Sequence, residues 1–293
     1  MLAVTHSGKF HGDDVVAWAL LKLYHPGELR LLRSRNPEDW ERADIVFDVG
    51  RVFDDSQGRF DHHQHTYTGS LSSAGMVLDF LQERKHIEQD LADHLRRFCI
   101  NYIDAVDNGK SRSQPDVPCL TSLIERMNRG CRSLEEFTQR FEQTAALVSG
   151  FLQAFERELL EHKHAADLIQ TAMARAERTG SNVIELGHYC AWKPGYFGNG
   201  GADHSTEFVL FQSLQGSWQV VAIPPSEHSF DQKRSLPEEW AGLEGEELSR
   251  ITGSASVFCH KNRFIAVFET RDAALNALDH VGFLTNPEAH RAD

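Results

Sequence analysis

L-A-V-T-H-S-G-K-F-H-G-D-D-V-V-A-W-A-L-L-K-L-Y, Leu2 to Tyr24, is the stretch from which the fold is read. Leu2 to Thr5 is a short apolar run suited to a buried strand. Asp14 to Tyr24 then reads as a helix, opened by acidic residues that favour the helix dipole and stopped by Pro26-Gly27. Working outward, Leu29 to Leu32 and Ile45 to Val49 are further strands. Ile45-Val46-Phe47 is apolar on consecutive positions, as expected of a strand covered on both faces. Ser72-Ser73-Ala74-Gly75 can cap a helix through Met76 to Gln82, and a second helix is predicted over Ile87 to Ala105. Strands alternating with helices predict an α/β domain with a mostly parallel sheet and helices on both faces. Ligands in such sheets bind at the carboxyl ends of the strands.

Beyond this region, Ser133 to Arg178 is helical in composition and free of proline, with Gly150 interrupting it. Phe137, Phe141, Leu147, Phe151 and Phe155 recur there at near-helical spacing, a stripe for core packing or a helical hairpin. Asn182 to Leu186 reopens a strand pattern, and Gly195 to Asp203 reads as a loop. Phe208 to Gln212 and Trp218 to Ile223 flank Gly216-Ser217 as a hairpin. Ser256 to Cys259 and Arg263 to Phe268 form another strand pair, and Asp272 to His280 a closing helix. The expected organisation is an α/β domain over 1–132, a helical connector over 133–180, and a smaller α+β domain over 181–293.

Among the 293 residues, 41% are hydrophobic and 25% charged, the balance of a globular protein with a sizeable core. Such a core needs no metal to staple it, so a metal site calls for a functional explanation. The formal net charge of -13, from 43 acidic against 30 basic residues, argues against tight nonspecific binding to long nucleic acid. Short or small anionic substrates fit it better. Five dispersed cysteines without a C-x-x-C pair read as thiols in a reducing compartment. No signal-peptide pattern or membrane-length apolar run is present, so a cytoplasmic protein without a membrane partner is expected.

The chemistry concentrates in three places. His6, His11 and Asp13 follow the first strand, Asp48 ends the apolar run before Val49-Gly50, and Asp61-His62-His63 follows Arg59-Phe60. Mixed imidazole and carboxylate donors suit a divalent transition metal, and a carboxylate can bridge two ions. Each group closes a different strand or loop of one sheet, so together they predict a shared metal centre. Asp104 and Asp107 end a helical segment, and either is a candidate further ligand. His25 and His65 lack such a setting and read as surface histidines.

These residues also carry a resemblance. T-H-S-G-K-F-H-G-D-D (Thr5–Asp14), D-V-G-R-V-F-D (Asp48–Asp54), R-F-D-H-H-Q (Arg59–Gln64), L-S-S-A-G (Leu71–Gly75) and I-D-A-V-D-N-G (Ile103–Gly109) occur in order. With L-P-E-E-W-A-G-L (Leu236–Leu243) and His260–Ile265, they resemble the DHH phosphoesterase superfamily over nearly the whole chain. Within it, the chain is most similar to the melanocyte-proliferating-gene (Myg) type, a branch also labelled metal-dependent protein hydrolase. The resemblance implies a DHH-like metal-binding domain over 1–132, a substrate-binding domain over 181–293, and two divalent ions, usually manganese, with magnesium or cobalt as alternatives. It implies His6, His11 and Asp13 as early ligands, Asp48 as the bridge, His62 as a ligand, Asp107 or Asp104 completing the second site, and His63 beside the substrate phosphate. Asp48, His62 and His63 are thus the expected catalytic residues. Lys9, Lys233, Arg234, His260, Lys261 and Arg263 are candidate basic substrate contacts. Two departures bear on substrate choice: Ala266-Val267 and Glu269 stand where the family has glycines and a lysine, and Arg51 where it has a glycine.

The expected function is a manganese-dependent phosphodiesterase acting by a two-metal mechanism on single-stranded RNA or short oligonucleotides, from the 3′ end as an exonuclease. A homo-oligomer is an open expectation. Two alternatives are carried beside it: hydrolysis of a small phosphate compound (a cyclic dinucleotide, a nucleotide or pyrophosphate), and a metal-binding protein without turnover. Peptide hydrolysis has no support, since neither H-E-x-x-H nor a Ser or Cys triad signal is present.

Overall fold

The protein is described here by a computed structural model covering residues 1–112 and 117–290. It divides into two compact units, residues 1–159 and 160–293.

The first unit is an α/β layer structure. Its chain order is β1 (Leu2–Thr5), α1 (Gly12–Tyr24), β2 (Arg30–Arg33), α2 (Pro37–Glu41), β3 (Ile45–Phe47), β4 (Phe53–Asp54), β5 (Arg59–Phe60), α3 (Ser73–Glu83), α4 (Gln89–Leu95), α5 (Asn101–Asp107), α6 (Leu120–Met127) and α7 (Leu134–Thr179). The sheet order is β2-β1-β3-β5-β4. The first four strands run parallel, with Ala3 opposite Leu31 and Ile45, and Phe47 opposite Phe60. Only β4 is antiparallel, folding back beside β5 at the edge. Because β1, β3 and β5 are parallel neighbours, their carboxyl ends leave the sheet along one edge.

Alternation decides which side chains each face buries. Ala3, Ile45, Phe47 and Phe60 pack into the main core with α1 and α3, while Val4 and Val46 meet Ala43 and Trp40 on the other face. Both faces are covered, but unequally: the second has only the short α2 and its flanks. Every residue of α1 from Gly12 to Leu21 is buried, so it is a central helix rather than an amphipathic one. The helix expected over Ile87 to Ala105 runs from Gln89 to Asp107, with a π turn at Arg96–Ile100 joining α4 to α5.

The long helix corrects one expectation. Gly150 does not interrupt it; α7 is continuous over 46 residues. A single glycine costs a helix only about 1 kcal/mol relative to alanine, which the rest of α7 outweighs. The expected stripe is core in part: Phe141 is buried, and Phe137 and Phe155 pack against the same core. Phe141, Ala145, Val148 and Leu152 face the first unit's core, whereas Leu147 is 57% and Phe151 53% exposed. The residues at near-helical spacing belong to two adjacent rows of the helix, of which one is buried.

The second unit contains the remainder of α7, then β6 (Val183–Leu186), α8 (Trp192–Gly198), β7 (Phe208–Gln212), β8 (Trp218–Ala222), α9 (Gly245–Thr252), β9 (Ser256–Cys259), β10 (Ile265–Phe268) and α10 (Arg271–His280). Its mixed sheet has the order β6-β7-β8-β10-β9, with β6 and β7 parallel and the other pairs antiparallel. α8 occupies the start of the expected Gly195–Asp203 loop. Ala266 and Phe268 are fully buried in β10, so the segment lacking the family's glycines is here a core strand. Among the described residues no helix is long and apolar enough to cross a membrane.

Candidate metal centre

Each strand end at the carboxyl edge of the first sheet releases a polar residue where the ladder stops. His6 follows β1, Asp48 follows β3, and Asp61-His62-His63 follows β5. The start of α1 adds Asp13 and Asp14, and the end of α5 adds Asp107. Asp48 leaves its strand at φ +52, and Gly50 and Arg51 follow at +97 and +58. This left-handed turn carries Asp48 off the line of the sheet.

The two oxygens of Asp48 face different partners. Its Oδ2 lies 3.1 Å from His6 Nε2, which is also 3.2 Å from Asp14 Oδ2. Its Oδ1 lies 3.4 Å from His63 Nδ1 and 3.8 Å from His62 Nε2. His62 Nε2 in turn stands 3.0 Å from Asp107 Oδ2 and 3.8 Å from Asp13 Oδ2. Ligand atoms of four overlapping groups come close enough to hold a metal ion: His6 with His11 and Asp48; Asp13 with His62 and Asp107; Asp48 with His62 and His63; and Asp13, Asp14 and Asp48. Asp48 is shared by three of them.

The fit to metal is tested by hydrogen bonding. Buried polar atoms almost always have a partner. Here both carboxylate oxygens of Asp13, Oδ2 of Asp14, Oδ1 of Asp48 and Nε2 of His62 are buried and make no hydrogen bond. Leaving so many acceptors unsatisfied in one place is costly unless a cation satisfies them. The donor set is that of a hard-to-borderline divalent ion.

The electrostatics agree. Burial, then the Asp48, Asp107 and Asp14 charges, pushes the Asp13 carboxyl well above the usual carboxylate range. Burial likewise raises Asp48, partly opposed by His6. Burial alone would lower His6, but the flanking Asp14 and Asp48 carboxylates lift it to about 9. Burial opposes, and Asp107 outweighs it, in raising His62. The cluster therefore gathers buried carboxyl groups that raise one another and hold protons on their histidine neighbours, the behaviour of a site that draws in positive charge. Behind it Arg33 is wholly enclosed, 3.9 Å from Asp14, bonded to the Gly8 carbonyl and seated 4.4 Å from the Phe141 ring centre.

The structure brings Asp107 to the cluster and keeps Asp104 out of it. Asp104 Oδ1 accepts from the Ser72 amide at 2.9 Å and its hydroxyl at 2.6 Å, fixing the start of α3. His11 is exposed at the N-cap of α1, its amide donating to Asp14. Lys9 is exposed in the β1–α1 loop. The other basic candidates lie in the second unit. The Lys233 ammonium donates to the Tyr196 hydroxyl and the Gly201 and His204 carbonyls, so its three donors serve the fold. Arg234 pairs with Glu207 and covers Phe283. His260 and Arg263 make the β9–β10 turn, the Arg263 amide bonding the His260 carbonyl.

Asp14, Arg33, Arg35 and Arg51 belong to the site in addition to the expected contacts. Asp14 reads in sequence as a helix opener. Arg33 could have been found by the rule that strand ends carry ligands, since it ends β2. Asp61 is not a ligand candidate in this geometry. Its Oδ2 accepts from the Arg51 amide at 2.6 Å, and its Oδ1 from the His63 amide at 3.0 Å and ring Nδ1 at 2.8 Å.

Fold and site together define a two-unit α/β protein with an aspartate–histidine cluster that could bind metal ions at the carboxyl edge of a parallel sheet. The MYG1 exonuclease family model, described as "Uncharacterised protein family (UPF0160)", matches residues 2–279. A MYG1 protein of Chlamydia trachomatis is 31% identical over 94% of this chain and 95% of its own length. A MYG1 exonuclease of Rattus norvegicus is 31% identical over 93% of this chain and 82% of its own, and one of Homo sapiens 30% over 93% and 83%. The chain belongs to the MYG1 family.

Proposed function

We propose that this chain is a manganese-dependent phosphodiesterase of the DHH type, hydrolysing RNA or short oligonucleotides from the 3′ end at the first-unit cluster. The observation that carries the reading is the Asp48 carboxylate, set between two donor groups with one oxygen toward each and its neighbours' acceptors unsatisfied. The name exonuclease borne by the rat and human relatives supports a nucleic-acid substrate.

His6, His11 and Asp48 would hold one ion and Asp13, His62 and Asp107 the second, with Asp48 between them. Two ions so held supply an activated water and charge neutralisation for in-line displacement at phosphorus. The protein's own residues position and protonate. Asp61 fixes the His63 ring through Nδ1, which leaves Nε2 as the nitrogen available to substrate. Hydrogen bonding to Asp61, against burial, raises the His63 pKa, so the imidazolium that could contact a phosphate oxygen is favoured. Fixed groups of this kind act mainly by positioning and electrostatics, on which phosphoryl transfer chiefly depends.

A small phosphate compound is the second reading, favoured by the net charge of -13 and by a cavity of about 560 Å³ beside the cluster, of the order of one nucleotide. Both readings are tested by one panel: single-stranded RNA, a dinucleotide and pyrophosphate, each with manganese. Asp48→Asn is expected to lower turnover by at least about 100-fold with the fold intact by circular dichroism, as removal of a central electrostatic group does. Full activity in that variant would sink the proposal, and a strong preference for pyrophosphate would replace its substrate.

A further inference from the structure

The cavity beside the cluster has two cations in its wall, Arg35 and Arg51. Neither is a metal ligand, and they differ in how they are held. The Arg35 Nε donates to the Ser7 carbonyl at 3.2 Å, and its Nη2 stands 3.1 Å from His6 Nδ1. That anchors the guanidinium on the His6 side of the cavity. The Arg51 guanidinium makes no hydrogen bond or ion pair among the described residues, although Asp48 and Asp61 line the same cavity. Only its backbone is tied, by the amide hydrogen bond to Asp61.

The Arg51 backbone makes this more than a surface cation. Arg51 sits at φ +58, in the left-handed region where a side chain is strained and glycine is at ease. Nothing in the packing asks for an arginine there, because the side chain is exposed. Strain kept at a position lining a functional cavity points from geometry to function. The Asp61 carboxylate that accepts from the Arg51 amide also holds the His63 ring, so the Arg51 backbone and His63 share one anchor at the cavity wall. A guanidinium offers paired donors matched to phosphate oxygens.

We propose that Arg51, with Arg35 in the wall of the same cavity, is a phosphate-binding and specificity-determining residue that holds a phosphate group of the substrate there. The inference rests on the phosphoesterase reading of the cluster and places phosphate recognition in the first unit, independently of the basic residues of the second. Binding to Arg51 precedes chemistry, so its loss should raise KM more than it lowers kcat. The binding also should fall with salt.

The decisive variant is Arg51→Gly, which relieves the backbone and so is expected to fold at least as well as the parent. Measured on manganese-loaded protein are Tm, metal stoichiometry, the Kd for adenosine monophosphate by calorimetry, and KM and kcat on a short RNA. Expected are an unchanged or higher Tm, unchanged metal stoichiometry, a roughly tenfold weaker Kd and a roughly tenfold higher KM with kcat within about twofold. Arg51→Lys, which keeps charge but loses the fork, should fall between. Unchanged Kd and KM in Arg51→Gly would overturn the inference and leave the phosphoesterase reading standing. If the parent binds the nucleotide through Arg51 but cleaves no phosphoester, the reading fails and the inference survives.

Discussion

Asp61 and the two histidines after it are adjacent in sequence and different in work. His62 faces Asp13, Asp48 and Asp107, His63 is more than half exposed, and Asp61 is buried with both oxygens engaged. Burial raises a carboxyl, yet hydrogen bonds from His63 and Arg51 hold Asp61 below its ordinary range. It is a positioning residue. Asp61→Asn keeps one acceptor and turns a donor toward the other partner, so either the Arg51 turn or the His63 ring loses its hold. Turnover is expected to drop by about 10–100-fold, the usual scale for losing an outer partner of a metal site. Metal content by atomic absorption should not change, and wild-type turnover would show that His63 needs no such anchor. A triplet of this kind announces metal chemistry in the sequence, but not which member holds metal. That depends on which way each side chain leaves a loop, and adjacent residues leave it differently.

Two glycines show how elements, rather than residue types, decide tolerance. Gly150 lies within α7 with nothing inside 4 Å of where a Cβ would stand. Gly150→Ala should therefore stabilise by about 0.5–1 kcal/mol, seen as a raised Tm. Gly75 lies in the first turn of α3, where a Cβ would come 2.5 Å from the Asp104 carboxylate. Gly75→Ala must push that carboxylate off the Ser72 amide and should cost about 2 kcal/mol or more. A Gly75→Ala protein as stable as the parent would show that the α3–α5 contact is soft. In sequence Gly150 reads as the break and Gly75 as part of a cap, the reverse of their structural weight. Local pattern found the elements, because periodicity and breakers act over a few residues. It misjudged α7, where 46 residues of favourable helix and a buried row outweigh one glycine.

At the scale of the molecule, each unit has its own core and its own buried charges. The second unit is closed by Glu185 on β6, whose carboxylate is bonded by the Arg271 guanidinium of α10 and lies 3.3 Å from His290 Nδ1. His290 Nε2 in turn meets the Ser181 hydroxyl at 2.9 Å. Burial would raise this carboxyl, but His290 and Arg271 together lower it from 4.5 to about 2. A depressed carboxylate stabilises the folded state fully above pH 4.5, and the gain is lost as pH falls toward 2. Glu185→Gln should thus lower stability by on the order of 2 kcal/mol at pH 7. The gap to the parent, read from Tm across a pH series, should close between pH 4.5 and 2. A gap that persists unchanged at the acid end would show that packing, not charge, carries the effect.

By itself the sequence determined the α/β character of the first third, the identity of most candidate donors and the family, because strand and helix signals are local and the Asp/His runs are rare. Only the tertiary structure decided how those donors combine. Parallel pairing puts the ends of β1, β3 and β5 on one edge, the left-handed turn at Asp48 shows an oxygen to each side, and the run from Gln89 to Asp107 delivers Asp107 while spending Asp104 on Ser72. Whether a carboxylate faces a metal site or braces a helix depends on residues about 30 or more positions away, as with Ser72 and Asp104. No local pattern carries that information.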